Sequence, residues 1–156
     1  MLIRLCRSED EKDWIALNRE FMLFEIAEDS LWNGTEKTPD YVFQNTFREA
    51  LKNAELITLL IMEKDETPIG FVNLMTIYSV WAHGKALIVD DIFIKKEYQG
   101  KGYGREAMAY IEEHAQRNKY KRVQFHSETT NPGARKFYEA LGFTATELYF
   151  YVKYLG

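Results

Sequence analysis

Val89-Asp90-Asp91-Ile92-Phe93-Ile94-Lys95-Lys96-Glu97-Tyr98-Gln99-Gly100-Lys101-Gly102-Tyr103-Gly104 is the stretch on which the reading of this chain turns. It opens as an apolar strand, passes into a glycine-rich turn and runs directly into a helix. In that helix Gly104, Met108, Ile111 and Ala115 recur on one face, with Ala107 and Tyr110 beside them. Arg105, Glu106, Glu112, Glu113, Gln116 and Arg117 fill the other face. The spacing is that of an amphipathic helix with one buried stripe. Strand, glycine turn and helix together make an anion-binding arrangement. The first amides of a helix have no partners inside it and carry its positive dipole end, and glycine lets the backbone approach a phosphate closely. Gln99, Gly100, Lys101, Gly102, Tyr103 and Gly104 offer those amides, and Lys101 adds a positive charge.

Two familiar phosphate loops are excluded. A nucleotide P-loop ends in Gly-Lys-Ser/Thr, which is missing here, and the dinucleotide fingerprint needs one more residue between its last two glycines. The pattern that fits is Gln/Arg-x-x-Gly-x-Gly, filled by Gln99, Gly102 and Gly104.

Working outward, Leu2 to Cys6 reads as a strand, and Ser8-Glu9-Asp10-Glu11 as a capping box before a helix with Trp14, Leu17, Phe21 and Phe24 on one face. Asn33-Gly34 marks a turn, and Thr38-Pro39 starts a second helix striped by Phe43, Phe47, Ala50 and Leu51 and ended by Asn53. Strands follow at Leu56–Met62, Ile69–Tyr78 and Lys85–Ile94, with Gly70 marking a bulge or a close approach. Beyond the glycine-loop helix, Arg122–Ser127 alternates as a strand. Asn131-Pro132 then opens a helix with Ala134, Phe137, Tyr138 and Leu141 on its stripe, stopped by Gly142. Phe143–Leu155 alternates again and is expected to be a last strand, with a bend near Thr146-Glu147 as the alternative. Tight turns between consecutive strands imply an antiparallel meander, and the loop-helix crossover implies one parallel pair. The expected class is α+β: a central, mixed, mostly antiparallel sheet with helices on both faces.

The chain is 156 residues long, 46% hydrophobic and 15% aromatic, which suits one domain over 1–156 with a sizeable core. A net charge of −4 disfavours nucleic acid as a partner and mildly favours cationic ones. Cys6 is the only cysteine, and His83, His114 and His126 lack metal-ligand spacing, so neither a disulfide nor a metal is expected. No signal peptide or membrane span is read, and a cytoplasmic location is the expectation.

Asn131-x-x-Ala134-x-x-x-Tyr138-x-x-x-Gly142-Phe143, at its distance beyond Gln99–Gly104, completes a second match. With both motifs, covering Val89 to Phe143, the chain resembles the GNAT superfamily of N-acetyltransferases. The resemblance implies a three-layer fold and transfer of acetyl from acetyl-CoA to a primary amine by direct attack. Gln99, Gly100, Lys101, Gly102, Tyr103 and Gly104 would then hold the pyrophosphate of acetyl-CoA, and the backbone of Ile92, Phe93 and Ile94 its pantetheine arm. Asn131 would bond that arm as well as cap its helix. Tyr138 matches the tyrosine that protonates the leaving thiolate; a phenol pKa of about 10 lies near enough to the about 8.5 of a thiol.

Asp90 and Asp91 stand in an otherwise apolar strand, where charge is costly unless hydrogen-bonded or solvated. The run resembles a Glu-Asp-apolar-apolar segment of diamine and polyamine acetyltransferases, which maps the base onto Asp90, one methylene shorter than Glu. The alternative is a solvated or salt-bridged pair at a strand bulge. Asp91 and His126 are further acceptor-side candidates, as are Glu28 and Trp32 in the acidic, aromatic segment after the first helix. The expected acceptor is a small cationic amine. A protein or peptide amine, or a non-catalytic CoA-binding sensor, is the alternative, and a homodimer is left open.

Overall fold

A computed structural model describes residues 1–25, 37–127, 129 and 131–155, and they divide into two compact units, Met1–Phe125 and His126–Gly156. Glu28, Trp32 and the Asn33-Gly34 turn lie outside the described residues. The first unit runs β1 (Leu2–Leu5), α1 (Glu11–Glu25), α2 (Asp40–Lys52), β2 (Ile57–Lys64), β3 (Thr67–Ser79), β4 (Gly84–Ile94), α3 (Tyr103–Arg117) and β5 (Arg122–Phe125). Its sheet has the order β1-β2-β3-β4-β5, antiparallel throughout except for the parallel β4–β5 pair made by the α3 crossover.

Alternation along the strands separates two cores. Leu59, Ile61, Phe71 and Phe93 pack with Trp14, Ile15 and Leu17 of α1 and with Phe43 and Phe47 of α2. Trp14 lies against Phe47 at 5.3 Å between ring centroids, and Phe21, Phe71 and Phe93 form an aromatic triangle with sides of 5.6 to 6.1 Å. On the reverse face Leu60, Met62, Val72, Leu74 and Leu87 are fully buried. The buried stripe of α3 is Ala107, Met108, Ile111 and Ala115, and the helix packs on β4 and β5. Met108, Ile111 and Ala115 are as the sequence spacing predicts, whereas Gly104 is half-buried and Ala107, expected beside the stripe, lies within it.

Several turns follow from local chemistry. Asp65 and Glu66 join β2 to β3 with φ of +49° and +62°, the paired left-handed geometry that suits a two-residue hairpin. The α1 entry differs from the Ser8 capping box. A 3-10 turn over Ser8–Asp10 precedes α1, and the Asp10 carboxylate accepts the Arg7 amide at 2.6 Å, while Ser8 turns its hydroxyl to Glu9. Asp10 wins because it is also held by two guanidinium hydrogen bonds of 2.7 and 2.8 Å from Arg4, which bonds Glu63 as well. The Arg4 bonds hold the Asp10 carboxyl below its usual range. Burial pushes the nearby Cys6 thiol up to about 12, which leaves it protonated and inert.

In the second unit Asn131 caps α4 (Pro132–Glu139), its side-chain oxygen accepting the Ala134 amide at 3.0 Å. Gly142 at φ +92° closes the helix as a Schellman motif. The Phe143 amide reaches the Tyr138 carbonyl and the Gly142 amide reaches that of Glu139. The expected last strand is not found. Among the described residues Phe143–Leu155 forms no ladder, and Leu148, Tyr149, Tyr151 and Leu155 are at least 78% exposed. Period-two patterning supplies a face but no hydrogen-bonding neighbour, and a strand needs both.

Gly70 is a close approach. A Cβ there would stand 2.3 Å from the Phe93 carbonyl oxygen and 2.7 Å from Met62 Cε. Because the first obstacle is backbone, Gly70→Ala is expected to destabilise the fold by about 1–3 kcal/mol, read as a lowered urea midpoint. An unchanged midpoint would show that β3 and β4 are not this tightly apposed.

Candidate active site

Pairing between β3 and β4 runs Gly70↔Ile94, Phe71↔Phe93, Val72↔Ile92 and Asn73↔Asp91, then shifts to Leu74↔Val89. Asp90 is therefore the extra residue of a bulge in β4. The insertion changes which side chains face where. Without it Asp91 and Phe93 would follow Leu87 and Val89 to the α3 face. With it they point to the α1–α2 face, beside Asn73 and Phe71. Asp90 is exposed, and Asp91 is half-buried.

Asp91 is tethered. Its Oδ2 accepts the Asn73 side-chain amide at 2.8 Å, and the Oδ1 of Asn73 accepts the Trp14 indole N–H at 3.0 Å. Burial raises the Asp91 carboxyl above its ordinary range, the Asn73 bond opposes that rise, and the charge of Asp90 adds to it. Sequence reading places Trp14 in the core stripe and passes over Asn73. The available signal was an amide within the buried, apolar middle of β3.

The β4–β5 ladder runs from Ala86↔Arg122 to Val89↔Phe125 and stops, whereas β4 continues to Ile94. Among the described residues the β5-side edge of β4 has no ladder beyond Val89. The Phe93 side chain is buried in the core, while Ile92 and Ile94 are half-buried. The edge leads directly to the glycine loop, whose 3-10 turn spans Lys96–Tyr98. The Gln99 side-chain amide donates to the Ile94 carbonyl at 2.8 Å, tying the loop to the strand end. Gly100 and Gly102 have φ of +72° and +89°, a left-handed geometry that disfavours any other residue, and nothing stands within 4 Å of either missing Cβ. Gly102 is the N-cap of α3, and its carbonyl already accepts the amides of Arg105 and Glu106. The amides of Tyr103 and Gly104, in the first turn, precede any bonded partner. Two cations flank this end: Lys101, whose ammonium lies 5.5 Å from the Tyr98 ring centroid, and Lys64. The Tyr103 hydroxyl and then Asp65 raise the Lys64 pKa, so it stays charged. Backbone donors, open space and positive charge fit a pyrophosphate, and the β4 edge beyond the end of the β5 ladder fits an extended amide-bearing arm.

In the second unit the Tyr138 ring packs edge-on against Phe143 at 6.4 Å and against Phe137 at 5.1 Å, fixed by the Schellman turn that Gly142 makes. His126 is exposed and lies 5.5 Å from the Phe150 ring. Among the described residues no group of three or more His, Cys, Asp or Glu is placed to hold a metal ion, and no helix is long and apolar enough to cross a membrane. An open cavity of about 450 Å³, lined by Leu56, Thr58, Lys85, His114 and Tyr120, lies at the far end of β4 and α3 from the glycine loop, away from this chemistry.

The acetyltransferase (GNAT) family model matches residues 16–143, and the chain belongs to that family of N-acetyltransferases, which use acetyl-CoA. Solved structures agree on the fold. A possible acetyltransferase from Clostridium difficile 630 superposes with a TM-score of 0.79 at 16% identity, covering 99% of this chain and 97% of that one. An aminoglycoside acetyltransferase from an uncultured soil metagenomic sample, in complex with sisomicin, gives 0.76 at 16% identity over 99% and 95%. A ribosomal-protein-alanine N-acetyltransferase from Brucella melitensis biovar Abortus 2308 gives 0.75 at 16% over 99% and 100%.

Gly102→Val would force a β-branched residue into a left-handed position and put methyl groups into the space at the α3 N-terminus. CoA affinity by calorimetry is expected to fall at least about tenfold, equivalent to ~1.4 kcal/mol. Unchanged affinity would remove the loop from the cosubstrate site.

Proposed function

We propose that the protein moves the acetyl group of acetyl-CoA to the primary amine of a small cationic acceptor. The observation that carries this reading is the join of the β4 edge at Ile92–Ile94, beyond the β5 ladder, to the glycine-capped N-terminus of α3. Gln99 to Gly104 bind the pyrophosphate, and the backbone of Ile92, Phe93 and Ile94 pairs with the pantetheine arm, which brings the thioester to the bulge. Asn131 bonds the arm while capping α4.

At the bulge the carboxylates of Asp90 and Asp91 attract an ammonium group and accept a proton from it. The amine nitrogen attacks the thioester carbonyl, the C–N bond forms, and the C–S bond breaks. Tyr138 donates its phenolic proton to the departing thiolate and is reprotonated, through water, by the second proton that the nitrogen loses as the amide forms. Overall, an ammonium acceptor and acetyl-CoA give the acetamide, CoA thiol and one proton. Two acidic side chains at the strand edge and a net charge of −4 support a cationic acceptor. The sisomicin complex shows that this fold accepts a polycationic amine in another protein.

Tyr138→Phe is expected to lower kcat by ~10²–10⁴ while CoA binding is kept. Equal turnover would move the acid role to water. On the acceptor side, kcat/KM for a diamine is expected to exceed that for a neutral-flanked peptide amine. A peptide preference would favour the protein-amine alternative, and CoA binding with no turnover on any amine would favour a sensor.

A further inference from the structure

We propose that the β3–β4 hairpin is a docking tip for an anionic membrane surface: Trp81 and Val80 enter the lipid interface, and Lys85, Lys121 and Arg122 meet the headgroups.

The hairpin turn, residues 80–83, lies between Ser79 and Gly84, the last pair of the β3–β4 ladder. It is closed by its own hydrogen bonds. Ser79 is buried, and its hydroxyl oxygen accepts the Ala82 amide at 3.2 Å. The His83 amide donates to the Val80 carbonyl at 3.2 Å. A third bond, from Arg122 Nη2 to the Ser79 hydroxyl at 3.2 Å, fastens the turn to β5. The side chains held out by this turn are apolar: Trp81 is 92% exposed, and Val80 and Tyr78 are each 74% exposed. Chain reversal calls for Gly, Asn, Asp or Pro and gives no reason for Trp81 and Val80. Apolar surface kept in water by a bonded turn points to a partner that removes it from water.

Cations stand at the base of the tip. Lys85 is opposite Tyr78 in the ladder, and its ammonium lies 4.7 Å from the Tyr120 ring centroid. Lys121 donates its amide to the Lys85 carbonyl at 2.8 Å, and its stem packs so closely on Gly84 that a Cβ there would stand 2.8 Å from Lys121 Cγ. Lys85, Lys121 and Arg122 are all exposed. Among the described residues the side-chain ion pairs engage Arg4, Arg19, Arg48, Lys52, Lys64 and Arg135, and none of these three. Glu55 shares a cavity wall with Lys85; one acid against three cations leaves this end positive in a chain of net charge −4.

The occupant follows from size and chemistry. A stable protein interface takes about 800 Å² from each partner. An aromatic side chain supplies at most ~250 Å², so three side chains at a tip fall short. Nucleic acid would stack on ring faces and leave Val80 without a role. An apolar tip rimmed by Lys and Arg suits the headgroup boundary, where indole and phenol rings settle and an anionic leaflet attracts the cations. The tip is also remote from the glycine loop: the 11 residues of β4 separate them by roughly 30 Å. Docking therefore does not use the acetyl-CoA end of the strand.

The test is co-sedimentation of the full chain with sucrose-loaded vesicles, phosphatidylcholine alone against phosphatidylcholine with about 30% phosphatidylserine. The parent should partition at least about tenfold more strongly onto the anionic vesicles, and added salt should weaken it. Trp81→Ala should lower that partitioning about tenfold, and the pair Lys85→Gln/Lys121→Gln should abolish the preference for phosphatidylserine. Trp81 is exposed, so the urea midpoint of Trp81→Ala should match the parent. Brominated acyl chains should quench the parent's tryptophan fluorescence, and Trp81→Phe should bind but lose that quenching. The proposal is overturned if the parent ignores anionic vesicles, or if Trp81→Ala binds them within twofold of the parent. It is equally overturned if sedimentation velocity shows a lipid-free dimer that Trp81→Ala dissolves, which assigns the tip to a second copy. Binding of poly(U) that anionic vesicles do not displace would assign it to nucleic acid instead. The readout needs no turnover, so it stands or falls apart from the acetyl-transfer reading.

Discussion

Between Val89 and Asp91, β4 carries one residue more than β3 opposite it, and that insertion reverses the facing of everything beyond it. Phe93 is thereby delivered to the core shared with Phe71 and Phe21 instead of to the α3 side, and Asp91 is set against Asn73. A bulge also bends and twists the strand that bears it. Here it falls where the β5 ladder ends, and among the described residues the ladder that continues from Asp91 to Ile94 is the one with β3. The same residue count that seats an apolar side chain therefore opens a backbone edge and aims a carboxylate.

That arrangement is held by contacts on both sides. On one side Gly70 lets β3 run against the Phe93 carbonyl with no side chain between them. At the end of the strand Gln99 returns to the Ile94 carbonyl and holds the glycine loop in place, so the left-handed Gly102 starts α3 at a fixed point. A carboxylate in partial burial costs stability unless it is bonded, and the Trp14–Asn73 pair supplies the bond without supplying a countercharge. Neutralising Asp91 with a cation would stabilise the fold further, at the expense of its affinity for a proton.

Much of this was legible in the residues. The positive-φ glycine, the helix stripe through Met108 and Ile111, the Asn131 cap and the Gly142 stop all depend on local chemistry, which sequence states directly. The bulge was harder, because it is a mismatch between two strands and each of them alone looks regular. Two acids in an apolar strand raise a bulge as an alternative, and the register of Asn73 against Asp91 establishes it. For the same reason Trp14 reads as one more core aromatic, although its N–H bond ties α1 to Asn73 of β3. Leu148 to Tyr154 fails in the opposite sense: its alternation is strong, but no neighbouring strand pairs with it among the described residues. Ser8 lost its capping role to Asp10 because Arg4, distant from neither in sequence, is positioned by β1 pairing with β2 at Glu63.

The most direct measurement is the fate of a labelled acetyl group. The protein would be incubated with acetyl-CoA labelled with ¹³C in the acetyl carbon and a panel of diamines, aminoglycosides and peptide amines, and the products read by mass spectrometry. The account predicts a labelled acetamide on a cationic amine, formed in equal amount with free CoA thiol. Binding of acetyl-CoA with the label found only in untouched cosubstrate or in free acetate would contradict it.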